Sequence, residues 1–306
     1  MAIEEQPVSR SLVPGIERPA EALSTPRGRR IPTFRRLIVG ALLLIFAVIF
    51  AYPMLWLLSS SLKAGPEVFS AGLIPDPIMW SNYPDLLAQA QNFNNWFFNS
   101  VIVSGLSAVT VTFSSAFVAF GFAYFRFPFR NLIFGLVLAT MMLPGAVTII
   151  PTFLIWQELG FYNTLTPLWA GNLFASAFYI FMLRQFFLGL PRDLFEAARV
   201  DGAGYIRMWR SVALPLTKPA LLVVLIFELK ASWTDLMKPL IFLRDVDLFT
   251  LPRGLLSIVA SASITGEGHF ELLMVAAVLT TLPMVILFFI GQRYFVEGIA
   301  TTGSKG

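Results

Sequence analysis

The residues able to do chemistry in this chain gather in two stretches. One is LPRDLFEAARVDGAGYIRMWRSVALPLTKPAL, from Leu190 to Leu221, which carries Arg192, Asp193, Glu196, Arg199, Asp201, Arg207, Arg210 and Lys218. The other is VVLIFELKASWTDLMKPLIFL, from Val223 to Leu243, with Glu228, Lys230, Asp235 and Lys238. Glu196 and Asp201 stand five apart, so a helix puts them on different faces, and ion pairing or capping suits them better than acid–base catalysis. A phosphate-cradling loop needs G-x4-G-K-[ST] between a strand and a helix. The nearest match, Gly298 to Gly303-Ser304-Lys305, has its last two residues in reverse order, so the chain carries no means of splitting a nucleotide. The sequence has no Cys, and its one His, His269 in ITGEGHFEL, reads as a solvated loop residue. Thiolate and multi-His metal sites are therefore excluded.

The elements that hold these stretches are apolar. The chain is 57% hydrophobic and 13% charged, half the charge of an ordinary soluble domain. Several continuous apolar runs reach the roughly 20 residues that cross a bilayer as a helix. Continuous rather than alternating runs exclude a β-barrel. The expected fold is all-α and polytopic, with six spans at about 37–59, 97–125, 132–156, 167–188, 219–243 and 271–292. Pro53, Pro144 and Pro151 fall inside spans and predict kinks.

Lys and Arg set the orientation. With the N-terminus inside, the inner segments hold most of the 22 basic residues. Both termini and the 189–218 insert are then cytoplasmic. Residues 1–36 read as a disordered basic cytoplasmic arm rather than a cleavable signal, and 293–306 as a cytoplasmic tail flanking a permease-like domain over 37–292.

Within the insert, Pro191 opens a helix and LFEAARV continues it, with Ala197 and Ala198 making a smooth face. Gly202 and Gly204 permit a sharp turn. Ile206, Trp209 and Val212 recur on one side of a second helix, which Pro215 breaks. The result is a helix–turn–helix at the inner membrane surface. It suits either an interfacial anchor or insertion into a cleft of another protein. In the second stretch, Asp235 and Lys238 have the spacing of a local ion pair. A charge at the bilayer centre costs roughly 2.5–3.5 kcal/mol, so the alternative is a watery pathway lined by Trp233, Thr234 and Asp235.

The spacing Glu196-Ala197-Ala198, three residues, Gly202, nine residues, Val212, one residue, Leu214-Pro215 resembles the cytoplasmic signature of permease subunits of binding-protein-dependent ABC importers. Val212 stands where that signature has Ile. SSLKAGPEVF, SNYPDLL, FNSVIVS, MMLPGAVTIIPTFLIWQELGFYNTL, SWTDLMKPLIFL and QRYFVEGIATTGSKG resemble the carbohydrate-uptake class, in particular its six-span maltose-type member. Thr234 departs from the Asn common at that place. The resemblance implies the type I importer fold in a bacterial cytoplasmic membrane, and an ATPase-coupling loop that includes Asp201 beside the signature residues. It implies alternating access driven by a separate pair of ATP-binding cassette subunits, which hold ATP and Mg while this chain holds no cofactor. The remaining partners are a second permease completing a heterodimer, an extracytoplasmic solute-binding protein, the lipid bilayer and a sugar-like solute, with no nucleic acid. The alternative is a stand-alone ion-coupled transporter or channel.

Overall fold

The computed structural model describes residues 33–265 and 269–303, with the backbone alone at 33, 35, 261–265 and 293–303. The expected arm over 1–32, and Ser304 and Lys305, lie outside the described residues. Those described are helix and loop throughout, with no strand. The chain forms two compact units, Met1–Ala51 and Tyr52–Gly306. The helix α1, Thr33–Ser60, carries the apolar run of the first unit and continues past Pro53 into the second.

In the second unit, α2 (Asn82–Gln89) follows a loop closed by buried polar side chains. Asn82 donates to the carbonyls of Ser61 and Lys63, at 3.0 and 2.9 Å, and the buried Lys63 ammonium donates to the Ser70 carbonyl at 2.9 Å. Each buried donor is thus matched, as burial requires.

The central element is α3, Phe93–Tyr124. Between large buried residues at its two ends, its buried face carries many small ones, Ser100, Ser104, Ser107, Ala108, Ser115, Ala116 and Ala119, interrupted by Val103 and Val111. Small side chains let helices approach closely where no hydrophobic effect drives them together. The helices that use this face are α7 (Ala177–Leu188) and α11 (Lys218–Trp233). Ser104 and Thr112 satisfy their hydroxyls on their own helix, donating to the carbonyls four residues back at 2.6 Å.

Four helical segments, Arg36–Ser60, Phe93–Tyr124, Thr166–Leu188 and Phe270–Gln292, are each long and apolar enough to cross a membrane. Two bent pairs raise the number to six. The helices α4 (Arg130–Thr140) and α5 (Gly145–Glu158) meet at 97°, with Pro144 at the break. The short α6 (Thr166–Trp169) runs through a 3-10 turn into α7. The second bend, 81°, separates Tyr205–Leu216 from α11.

The expected fifth span over 219–243 is not one helix. The helix α11 stops at Trp233, and after Thr234–Leu236 the chain re-enters a short helix at Met237–Phe242. The loop beyond holds a helix that hydropathy did not mark, Leu251–Thr265. The last helix, Phe270–Gly303, runs through the segment expected to be a tail.

Candidate functional site

The charged insert folds as a helical hairpin. Its first arm is α8, Arg192–Val200, with Pro191 at the cap. It ends because Gly202 adopts φ +77°, a left-handed conformation that a β-carbon penalises. The amide of Ala203 donates to the Ala198 carbonyl at 2.9 Å, and that of Gly202 to the Arg199 carbonyl at 3.0 Å. These two bonds make a Schellman closure. A β-carbon at Gly202 would meet nothing within 4 Å, so backbone conformation alone selects glycine there.

The second arm begins as α9, Tyr205–Met208, passes through a π-helical turn at Trp209–Ala213, and ends as α10, Leu214–Leu216. Pro215 has no N–H for the Ser211 carbonyl and its ring crowds that oxygen. The wider π ladder relieves both demands. The arm therefore ends after Pro215 rather than at it, where the Thr217 hydroxyl donates to the Ala213 carbonyl at 2.8 Å. The same turn shifts the expected helical face. Met208 and Ala213 are buried, Trp209 and Val212 are half-buried, and Ile206 is exposed.

Phe195 from α8 and Met208 from the second arm anchor the hairpin. Both are buried against Phe120, Tyr124 and Phe187 at one end of α3 and α7. Glu196, Ala197, Asp201, Gly202 and Pro215 are exposed, and Ala198, Val212 and Leu214 are half-buried. Val200 is 89% exposed and Ile206 71% exposed on the same projection. The hairpin therefore presents small, apolar and charged side chains outward on a fixed base.

The residues expected to line a pathway separate. Trp233 is buried; its indole N–H donates to the Thr280 carbonyl at 3.1 Å, and its ring meets Phe97 edge to face. With Lys230, Thr234, Thr280, Thr281 and Met284 it lines a cavity of about 700 Å³. Beyond α12 (Met237–Phe242), which contributes nothing to this wall, the chain adds α13 (Leu251–Thr265) and α14 (Phe270–Gly303) to define the space. Pro252 and Leu255 of α13 and Leu287 of α14 complete the wall. Asp235 is not in that lining. Its Oδ1 accepts from the amides of Met237 and Lys238 at 3.0 and 3.3 Å, and its carboxylate lies 3.9 Å from the Lys238 ammonium.

Sequence reasoning did not single out Thr280 and Thr281, though a threonine pair inside an apolar run was the available signal. Nor did it place Asn172, which donates to Glu228 at 2.7 Å and so partners the carboxylate within the bundle. Among the described residues, no group of three or more His, Cys, Asp or Glu could hold a metal ion.

Residues 112–301 match the family described as binding-protein-dependent transport system inner membrane component. The chain is 32% identical over 284 residues to the arabinooligosaccharides transport system permease protein AraQ of Bacillus subtilis (strain 168), covering 91% of this chain and 99% of that one. It is 33% identical over 280 residues to the sn-glycerol-3-phosphate transport system permease protein UgpE of Yersinia enterocolitica, covering 89% and 96%. Its fold matches a chain of a bacterial ABC transporter involved in import of the acidic polysaccharide alginate. That match has a TM-score of 0.74 at 23% identity and covers 89% of this chain and 100% of the other.

Proposed function

This chain belongs to the family of binding-protein-dependent transport system inner membrane components, and from that premise we propose how its two sites divide the work of import. It is a multi-pass permease subunit of an ABC importer of the carbohydrate-uptake class, and ATP hydrolysis belongs to a separate subunit. The proposed arrangement has six spans, counting the bent α4–α5 pair as one and α11 with the broken segment after it as another, in the manner of a maltose-type permease with both termini cytoplasmic. The body is the permease domain over 37–292, between a cytoplasmic arm and tail. The partners are a second permease, two ATP-binding cassette subunits and an extracytoplasmic solute-binding protein.

The hairpin is the coupling element. The observation that carries this is its anchoring: Phe195 and Met208 fix it to α3 and α7 while its tip projects. A push on the tip is therefore delivered to α3 and α7, and not absorbed by a floppy loop. Glu196, Ala197, Ala198, Asp201 and Gly202 form the docking side, and Val212, Leu214 and Pro215 shape the return arm. ATP binding favours one arrangement of the whole assembly, and solute access alternates with it.

The solute is a sugar or oligosaccharide, and the cavity beside Trp233 and Thr234 is this chain's share of its path. Five hydroxyl- or nitrogen-bearing side chains, Lys230, Trp233, Thr234, Thr280 and Thr281, on a mostly apolar wall fit a polyol with apolar ring faces. Lys230 on that wall favours a second reading, a phosphorylated polyol, for which a single cation would supply the phosphate contact. The test is uptake by cells expressing the complete importer, with labelled arabino-oligosaccharide and glycerol 3-phosphate offered separately. Oligosaccharide uptake that requires ATP and is lost with Gly202→Pro supports the reading. Uptake of neither, or full uptake by the Gly202→Pro importer, refutes it.

A further inference from the structure

We propose that this chain holds an anionic phospholipid headgroup in a basic cavity between the base of the hairpin and the α3–α4 turn. The cavity has a volume of about 300 Å³ and is lined by four arginines, Arg126, Arg130, Arg192 and Arg199, with one carboxylate, Glu196. None of the four is within ion-pair distance of an acid, since the ion pairs among the described residues are Lys238–Asp235 and His269–Glu271. Arg130 donates to the Phe125 carbonyl at 3.2 Å and to Asn131 at 3.4 Å, which fixes it in place without neutralising it. Four like charges on one small space repel one another, and an anion within it relieves that repulsion.

The surroundings identify the anion's source. The cavity floor is aromatic, formed by Phe120, Phe187 and Phe195. Beside its mouth, Arg126 and Arg130 share a second hollow with Phe127, Phe129 and Leu132. Phe129 is 74% exposed and Leu132 61% exposed, and Phe129 holds a left-handed backbone at φ 59°. These residues sit where α3 and α7 end, at Tyr124 and Leu188, the ends of two segments long and apolar enough to cross a membrane. Cations above an apolar floor, with exposed phenylalanines at the lip, suit a phosphodiester whose acyl chains lie alongside. A soluble phosphate has no use for the apolar part.

A lipid seated here touches both the α3–α4 turn and α8, and so ties the hairpin to the bilayer. The binding measurement is independent of which solute is carried and of how the subunit is oriented. The assembled importer, purified in nonionic detergent, is titrated with dioleoyl-phosphatidylglycerol and, separately, dioleoyl-phosphatidylcholine, and bound lipid is counted by native mass spectrometry. Phosphatidylglycerol is retained in preference to phosphatidylcholine. Arg126→Gln with Arg130→Gln weakens that retention roughly thirtyfold, from the two interfacial charges removed. Arg192→Gln with Arg199→Gln does the same from the exposed helix, where folding is not at stake. Arg207→Gln with Arg210→Gln, the same charge change outside the cavity, leaves retention as it was. Equal retention of both lipids, an equal loss from the Arg207 and Arg210 pair, or complete displacement of phosphatidylglycerol by millimolar inorganic phosphate would overturn the proposal.

Discussion

The turn at Gly202 and the break after Trp233 solve the same local problem, ending a helix, in opposite ways. At Gly202 the closing bonds are main chain to main chain, and the tip side chains are left exposed. At Trp233 side chains add to the main-chain bonds from Thr234 and Asp235: the indole is pinned to Thr280, and Asp235 caps the next helix. Farther along the same segment, Asn163 accepts from the amides of Arg244 and Asp245, at 2.8 and 3.1 Å. A surface proposed to meet another protein keeps its side chains available. A surface that must hold a cavity open commits them. The difference follows from what each site faces, and it makes the two regions respond differently to substitution.

The largest expected effect is on the committed side. Trp233→Ala removes a buried indole that bridges Phe97 and Thr280, and truncations of this kind cost about 3–5 kcal/mol. A lower thermal midpoint and less assembled importer are expected; unchanged values would mean that the break is not held by this side chain. Next comes Gly202→Val, which forces a β-branched residue into the left-handed region at about 1–2 kcal/mol. Subunit accumulation persists while ATP-driven uptake falls, and Gly202→Asn, which tolerates that conformation better, restores part of it. Equal uptake by both variants would show that the turn's backbone does not matter for coupling.

Smaller effects sharpen the contrast. Asp235→Ala removes a cap and costs about 1 kcal/mol, whereas Asp235→Asn keeps an acceptor and costs less. The Lys238 partner adds little, because the pair is 3.9 Å apart and its side chains are 47% and 25% exposed. Thermal unfolding of the two variants separates capping from charge. The smallest stability effect belongs to Val200→Ser at the exposed tip, within about 0.5 kcal/mol. Its signature is weaker recovery of the ATPase in pull-down; undiminished recovery would remove Val200 from the docking surface.

These contrasts were only half legible beforehand. Apolar run length disclosed the spans, because the bilayer fixes how much chain must be apolar. It could not disclose direction: Pro144 announces a kink but not a 97° break, and the stop at Trp233 lies inside a run that reads as one continuous helix. The stop has a local cause in Thr234 and Asp235, whose short polar side chains compete for backbone partners. The Gly202 turn was legible because only glycine takes that conformation without strain. The face of the second arm was not, since a 3.6-residue period assumes a regular ladder and the π turn before Pro215 breaks it. Helix α13 escaped notice because it is half-buried and too short to cross a bilayer.

The small-residue face of α3 also has a mechanical meaning. Serine and alanine have few rotamers to lose, so this seam forms and opens with little change in side-chain freedom. Ser104 and Thr112 are bonded within their own helix, while Ser100 and Ser115 accept from the amides of Leu251 and Ser176, and the side-chain hydrogen bond that joins the face to α11 is the one from Ser232 to Ser107, at 3.2 Å. Such a seam resists separation but offers few interlocking knobs against sliding. At the hairpin end the same helix carries Phe120 and Tyr124, stacked on each other and wedged against Phe195. One helix thus combines a bearing along its length with a pawl at its hairpin end, and in the proposed coupling role a push on the hairpin is carried along the bearing as shear.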